Sequence, residues 1–194
     1  FVILYGNDQL FAKLDLNKNI VTKTNTKGFN YYSLSPSFKQ VAVFDAIKDS
    51  ISIYDTDNLN NVKKELNISQ IKDKNDYNLT LLSHINWSPT ENELALSFDQ
   101  KIYTININSG QILLKYTDNT IGNGLLYWER NNITYSNTGK FLFITDWDNT
   151  NQDDIDKGQD IYRTIKIDRD TNTTEVVANT SSKDESSFIF GVTR

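Results

Sequence analysis

The chain has 194 residues, of which 25 are acidic and 20 basic, and its formal net charge is −5 at pH 7. The basic residues are scattered, which argues against an electrostatic surface for nucleic acid or anionic lipid. No apolar run approaches the length of a membrane span, so we expect no membrane insertion. The chain has no cysteine and one histidine, His84. This excludes disulfides and a cysteine nucleophile, and it disfavours a zinc site.

Short segments of alternating apolar and polar residues, separated by Asn, Asp, Ser, Pro and Gly, run along the whole chain. This pattern predicts β-strands joined by tight turns. No segment shows a sustained helical period. The predicted strands, in order, cover residues 1–5, 10–16, 20–24, 31–35, 41–44, 51–54, 62–66, 85–87, 94–98, 103–107, 112–116, 133–135, 141–145, 161–167, 174–178 and 188–192.

A repeat organises these strands. Ser35-Pro36, Ser88-Pro89 and Ser136-Asn137 each end a leading strand, and Thr193-Arg194 falls where the next such pair is expected. The spacings are 53, 48 and 57 residues, and each period holds about four strands. A period of this length with four antiparallel strands is typical of a propeller blade. The sequence therefore predicts an all-β fold, a β-propeller or partial propeller with four-stranded antiparallel blades of about 48–57 residues.

Individual motifs strengthen this interpretation. Ile85–Pro89, followed by Leu94–Ser97, resembles the leading-strand run of TolB-like and WD-repeat propellers, and Ser136–Leu142 is similar. Tyr54-Asp55 stands in the place of the Trp-Asp dipeptide of WD repeats. The Asp-Gly of the usual first turn is replaced in two blades, by Ser37-Phe38 and Thr90-Glu91. Since the Gly-His pair of WD repeats is also missing, the resemblance is closer to the TolB-like subgroup.

We predict one propeller region over residues 1–194. It divides into a partial blade at 1–28, full blades at 29–81, 82–131 and 132–185, and a leading strand of a further or ring-closing blade at 186–194. A closed four-bladed ring and an arc of a larger propeller both fit this division. The arc is preferred because Phe1 lies inside a predicted strand.

Three long segments, 67–81, 117–131 and 146–160, are expected on one face of such a propeller, which we call the long-loop face. Long loops on a rigid scaffold concentrate binding residues, although they can also be tolerated insertions. Trp128 could instead fill the gap between adjacent blades, and Trp147 could cap a strand end. The aromatic and polar residues that we predict to contact a protein or peptide partner are Tyr77, Tyr127, Trp128, Arg130, Trp147 and Asp148.

Segment 146–160 is rich in aspartate. Asp154, Asp156 and Asp160 could offer oxygen ligands to calcium, but the segment lacks the EF-hand register, and a solvated acidic loop is the alternative interpretation. Apart from calcium, no cofactor is expected. Asp168–Asn172 also alternates carboxylates, and we predict that they cap a hairpin turn.

The first functional hypothesis is a non-catalytic binding or scaffold module, with no enzyme activity of its own. The second is the propeller domain of a larger serine peptidase of the dipeptidyl-peptidase or prolyl-oligopeptidase type. This chain contains no G-x-S-x-G element, so the catalytic domain would lie elsewhere. The third is a carbohydrate- or calcium-binding propeller. We expect a bacterial protein, with the periplasm or extracellular space favoured over the cytoplasm.

Overall fold

A computed structural model describes residues 2–5, 11–23, 29–45, 48–71, 82–98, 101–117, 132–148 and 161–181. Within these ranges the fold is all-β, with fifteen strands in four antiparallel sheets and a short 3-10 turn at Ser69–Ile71. In every sheet the strands follow one another in chain order. Because consecutive strands pair as hairpins, each sheet is a local unit of the sequence, as the repeat predicted.

The strand bounds follow the predicted alternation closely. Sheet I contains β1 (Val2–Tyr5), β2 (Phe11–Asp15) and β3 (Ile20–Lys23). Sheet II contains β4 (Phe29–Leu34), β5 (Gln40–Asp45), β6 (Ser50–Asp55) and β7 (Asn58–Asn67). Sheet III contains β8 (Leu82–Trp87), β9 (Glu93–Phe98), β10 (Lys101–Asn106) and β11 (Ile112–Thr117). Sheet IV contains β12 (Asn132–Tyr135), β13 (Phe141–Asp148), β14 (Ile161–Asp168) and β15 (Thr174–Ser181).

Four strand ends extend three or more residues beyond the prediction. β8 begins at Leu82 rather than residue 85, and β15 ends at Ser181 rather than residue 178. The predicted loop 146–160 begins too early, because β13 continues to Asp148, where its backbone pairs with Ile161. β7 begins at Asn58 rather than Val62. The extensions of β7 and β13 consist mainly of Asn and Asp, which indicate turns in a sequence, so the strand pattern did not detect them. The predicted strand 188–192 lies outside the described residues.

Sheets II and III each contain a second strand that is buried on both faces. All residues of β5 from Val41 to Asp45 are buried, and so are all residues of β9 from Leu94 to Phe98. Small side chains such as Ala42 and Ser97 occupy the second face of these strands. Since a strand buried on both faces needs covering layers on both sides, this pattern is typical of stacked sheets.

The chain separates into two compact units, residues 1–79 with the turn 107–110, and residues 80–106 with 111–194. In the first unit, β3 approaches β7. A small apolar cluster forms around Tyr54 within sheet II, and its other members are Val41, Val43 and Leu59, with Leu34 packed against them.

In the second unit, β12 packs against β8 and β9, which brings sheets III and IV together. The shared core consists of Ala95, Ile102, Ile133, Tyr135, Leu142, Ile144, Ile165 and Ile167, with the half-buried Tyr116 at its edge. These side chains come from alternate positions of their strands, so they follow from the period-two pattern of apolar residues.

The turn after each leading strand recurs with the same geometry in sheets II, III and IV. It starts at a serine whose carbonyl accepts a hydrogen bond from the amide three residues later: Phe38, Glu91 and Gly139, at 2.8, 3.0 and 2.8 Å. These three residues have positive φ, at 59°, 59° and 72°. A glycine adopts this conformation without steric cost, whereas phenylalanine and glutamate are strained in it.

Candidate functional site

Most of the predicted binding residues cannot be placed. Tyr77, Tyr127, Trp128 and Arg130 lie outside the described residues, and so do the predicted calcium ligands Asp154, Asp156 and Asp160. Trp147 and Asp148 are placed through their backbone in β13, where they pair with Tyr162 and Ile161. The structure therefore does not bring the predicted binding residues together as one described site.

Trp147 and Asp148 nevertheless mark a distinctive feature of sheet IV. β5 and β9 have six residues each, whereas β13 has eight. All three begin five residues after the serine of the repeated turn, so the two extra residues are at the far end of β13. The β13–β14 hairpin thus extends by two residue pairs beyond the matching hairpins of sheets II and III.

The best-defined cluster of polar residues lies elsewhere in the second unit. Arg169 follows β14 and forms an ion pair with Glu93 of β9, with 2.6 Å between Nη2 and Oε1. The Tyr135 hydroxyl of β12 donates a hydrogen bond to the same carboxylate oxygen at 2.8 Å. The Arg169 guanidinium also lies 5.3 Å from the centre of the Tyr135 ring, within the range of a cation–π interaction.

The remaining contacts of Arg169 join two turns. Its backbone amide donates to the Lys140 carbonyl at 3.1 Å, and its Nη1 donates to the Gly139 carbonyl. Sheet II has an equivalent hydrogen bond between its turns, in which Thr56 Oγ1 donates to the Phe38 carbonyl at 2.8 Å. Arg169 therefore occupies a position that recurs in the repeat, and its long side chain reaches Glu93 in the neighbouring sheet.

Burial sets the chemistry of this cluster. Burial, reinforced by the Glu93 carboxylate, raises the pKa of the Tyr135 hydroxyl well above its ordinary value. Tyr135 is thus a neutral donor at physiological pH, and the cluster contains one cation balanced by one anion. The side chains of Arg169 and Glu93 are only 21% and 12% exposed. A balanced, largely buried cluster of this kind joins sheets III and IV rather than offering a reactive group.

The turn after β14 is capped as predicted. Asp168 Oδ1 accepts hydrogen bonds from the amides of Asp170 and Thr171, at 2.9 and 3.2 Å. The bond from Thr171 is the main reason that the pKa of Asp168 is lowered. Sequence reasoning did not identify Arg169 itself, since nothing in the turn pattern connects it to Glu93.

A polar groove is present in the first unit. It has a volume of about 460 Å³ and lies between the end of β7, the following 3-10 turn and residues 109–110. Its walls are Lys64, Glu65, Leu66, Asn67, Ser69, Gln70, Ser109 and Gly110. None of these residues was predicted as a binding residue, because the strand pattern of the sequence does not indicate which turn lies beside β7.

The described ranges contain neither a metal-binding cluster nor a membrane-spanning helix. Across the described ranges, no three His, Asp or Glu side chains are grouped so that they could hold a metal ion. In the same ranges, no helix has the length and apolar character needed to span a membrane. His84 lies half-buried in β8, opposite Ser97 of β9.

Comparison with known sequences does not show a family. No protein-family model matches the chain. Over 106 residues it is 30% identical to translation initiation factor IF-2 of Buchnera aphidicola subsp. Acyrthosiphon pisum, in an alignment that covers 54% of this chain and 12% of that protein. The chain thus spans about an eighth of the length of the curated relatives that it matches.

Comparison with solved structures shows the fold. The β-propeller domain of Myceliophteria thermophila Cps50 (Swd1) superposes with a TM-score of 0.58 at 12% identity, covering 92% of this chain and 50% of that one. TolB from Acinetobacter baumannii has a TM-score of 0.52 at 16% identity, covering 92% and 40%. The tricorn protease has a TM-score of 0.58 at 14% identity, covering 89% and 16%.

These similarities agree with the geometry of the chain itself. Four-stranded antiparallel sheets in chain order, buried second strands and a recurrent first turn are the features of propeller blades. At identities between 12 and 16%, the solved structures support the architecture and say nothing about activity. The chain therefore has a β-propeller type of fold, with TolB and the β-propeller domain of Cps50 (Swd1) among its structural neighbours.

Proposed function

We propose that the chain is a non-catalytic propeller-type module that binds a protein or peptide partner through its long-loop face. The observation that carries the proposal is the extended β13–β14 hairpin, whose backbone pairing at Trp147 and Asp148 continues two residue pairs further than in the matching hairpins. The twelve residues between Asp148 and Ile161 are connected to the same end.

The edges of the sheets support this choice of face. Within sheet III, Leu82 pairs with Phe98, and Lys101 pairs with Thr117. The start of β8 and the end of β11 therefore lie at the same end of the strands of sheet III. The long connections before β8 and after β11 begin or end there. Sheet IV has the same arrangement. Sheets II and III each contain a second strand that is buried on both faces, and loops on well-packed scaffolds are where binding residues concentrate.

Aromatic anchors make this proposal testable. Tryptophan, tyrosine and arginine dominate the binding energy of protein interfaces. We expect Trp128→Ala and Trp147→Ala to weaken the capture of partner proteins from a lysate of the source organism by at least about tenfold each. Captured proteins are quantified by mass spectrometry against the unaltered chain.

Phe38→Ala provides the control, since Phe38 is 57% exposed on the opposite edge of sheet II. It should leave capture unchanged, and thermal melting should verify that all variants are folded. If Trp128→Ala and Trp147→Ala capture the same partners in the same amounts as the unaltered chain, the long-loop face is not the binding surface.

A second candidate is a propeller module of a larger peptidase. Its support is the similarity to the tricorn protease, of which this chain covers 16%. Under this alternative, the reading frame that encodes the chain also encodes a hydrolase domain with a G-x-S-x-G element. The chain alone should not hydrolyse fluorogenic peptides in either case, and measurable turnover that survives purification would refute the non-catalytic proposal.

Calcium is the one ion that we propose as a ligand, with Asp154, Asp156 and Asp160 as its oxygen donors. Isothermal titration with calcium chloride should then release heat that disappears in Asp154→Asn and Asp156→Asn. Equal heats in the variants and the unaltered chain would assign the aspartates to a solvated loop. We place the protein in a bacterial periplasm or extracellular space, which immunodetection in cell fractions would test.

A further inference from the structure

The polar groove of the first unit is open to solvent and has the size of a ligand site. One wall is residues 64–67 of β7, the other is the turn at 109–110, and Ser69 and Gln70 close one end. Most of these residues are exposed, so the groove is accessible from solvent. Its volume of about 460 Å³ lies in the range of ligand sites.

Hydrogen bonds hold the walls of the groove in place. Lys64 Nζ donates to the Asn108 carbonyl at 2.7 Å and so ties β7 to the opposite turn. Asn67 Oδ1 accepts from both the amide and the hydroxyl of Ser69, at 2.8 and 2.6 Å. Glu65 accepts from Ser50 Oγ of β6 at 2.9 Å. The groove is therefore preformed, and a ligand need not order its walls.

The lining indicates the class of ligand. Lys64 and Glu65 balance each other, and the other polar groups are amides, hydroxyls and backbone, so neither an anion nor a cation is selected. Enclosed, mostly apolar pockets are typical of small-molecule sites, whereas this groove is open and polar. An aromatic platform for stacking is also absent from its lining.

The backbone of β7 supplies the remaining element of recognition. β7 is the last strand of sheet II, and among the described residues no further strand pairs with its outer edge. The four residues 64–67 span roughly 13 Å, the length of a short extended peptide. Edge strands bind such peptides by adding them to the sheet, with main-chain hydrogen bonds giving affinity.

We propose that this groove binds an uncharged extended peptide segment, which pairs with the outer edge of β7 and lies against Gly110. It is a second site for the class of partner proposed above, and it does not depend on the long-loop face. Gly110 is its key position, since no atom lies within 4 Å of where a Cβ would be. A side chain placed there would enter open space.

The repeat offers a variant that blocks the groove without disturbing the fold. Gly110 has a φ of 74°, which is unfavourable for most side chains, but the equivalent turn of sheet IV has Asn172 at φ 56°. Both turns are closed by the same backbone hydrogen bond, from Asn106 to Gln111 and from Asp168 to Thr173, at 2.9 Å each. Gly110→Asn should therefore keep the turn while filling the groove. Asn172→Gly is the reverse exchange and the matched control.

The probe is a random dodecapeptide library displayed on phage and panned against the immobilised 194-residue chain. Enriched peptides are synthesised, and their dissociation constants are measured by fluorescence polarisation. We expect Gly110→Asn to weaken binding at least tenfold and Gln70→Ala to weaken it severalfold. Asn172→Gly should have no effect on peptide binding, although it removes the hydrogen bond from Lys115 Nζ to Asn172 Oδ1. Circular dichroism should show that every variant keeps the β-sheet spectrum of the unaltered chain.

The other outcomes are equally clear. If no peptide is enriched, or if enriched peptides bind Gly110→Asn unchanged, the groove is not a peptide site. If the enriched peptides lose affinity only for Trp147→Ala, the groove is not their binding site, whereas the long-loop proposal is supported. Oligosaccharide binding on a glycan array that Gly110→Asn abolishes, without peptide binding, would assign the groove to a different ligand class and refute the peptide.

Discussion

At the scale of single residues, Arg169 links more of the second unit than any neighbour in its turn. It forms an ion pair with Glu93, makes a cation–π contact with the Tyr135 ring and donates a hydrogen bond to the Gly139 carbonyl. A sheet-to-sheet contact made only of apolar side chains tolerates sliding, because the hydrophobic effect is not directional. The fixed fork of a guanidinium specifies one arrangement. We interpret the cluster as a device that sets how sheets III and IV pack.

Arg169→Ala should lower the free energy of unfolding by about 3 kcal/mol, because it leaves the Glu93 carboxylate largely buried without its cation. The double variant Glu93→Gln/Arg169→Met should cost less than the sum of the single changes. Urea denaturation measures both. Lys166→Ala is the control: its partner Glu175 is 63% exposed, so the loss should be below about 1 kcal/mol. Equal losses for Arg169→Ala and Lys166→Ala would contradict this role for Arg169.

The strained turn residue Phe38 predicts that glycine is more stabilising than alanine at this position, the reverse of the usual order. At ordinary strand positions, alanine is more stabilising than glycine by about 0.5–1 kcal/mol. At a φ of 59°, the order should reverse, so that Phe38→Gly is more stable than Phe38→Ala by about 1 kcal/mol. Comparing the two variants removes the effect of losing the ring. Thermal melting would decide, and Phe38→Ala being the more stable of the pair would show that the turn relaxes.

At the scale of elements, the fourth strands share a bulge. The register shifts opposite Ile53/Tyr54, Ile102/Tyr103 and Thr164/Ile165, which leaves Lys63, Lys115 and Val177 as the extra residues. A bulge interrupts the hydrogen-bond ladder at one residue and bends the strand locally. In sheet III the bulged lysine also forms hydrogen bonds outside its sheet. Lys115 Nζ donates to the Arg169 carbonyl and to Asn172 Oδ1, at 3.1 Å each.

Lys115→Val should therefore lower the free energy of unfolding by about 1–2 kcal/mol, through the loss of two charge-assisted hydrogen bonds. Valine is chosen because Val177 occupies the same bulge position in sheet IV, so the strand geometry is retained. Lys63→Val is the matched control in sheet II. Its ion pair with Asp55 is 3.6 Å long and about half exposed, so the change should stay within about 0.5 kcal/mol. If both variants lose the same stability, the bridge from Lys115 contributes nothing.

Local patterns in the sequence predict the strands, but they do not predict contacts between residues that are far apart in the chain. Alternation and turn residues located the strands, because both are local consequences of the backbone. The end of β13 was missed, since Asp146-Trp147-Asp148 resembles a loop, and only its pairing with Arg163, Tyr162 and Ile161 holds it as a strand. The Glu93–Arg169 pair was missed for a related reason. The two residues are 76 positions apart, and no local pattern links charges on different sheets.

At the scale of the whole molecule, the repeat predicts more than any single motif. A spacing of about 50 residues with four strands was enough for the propeller-type fold. The choice of partner could not be predicted, because a propeller scaffold hosts many functions and its loops are free to vary. The groove beside β7 illustrates the same limit: its walls are ordinary strand and turn residues, and only their placement in space makes a site.

The same repeat predicts how stability is distributed within each sheet. Second strands such as β5 and β13 pair on both sides, and β5 is buried from Val41 to Asp45. Among the strands that the structure describes, the fourth strand β15 pairs with β14 alone, and its Val176 and Val177 are 52% and 44% exposed. Local opening should therefore start at outer strands. In hydrogen exchange followed by mass spectrometry, peptides covering 41–45 and 142–145 should exchange at least about a hundredfold more slowly than peptides covering 174–179. Uniform protection across each sheet would instead mean that its strands open together.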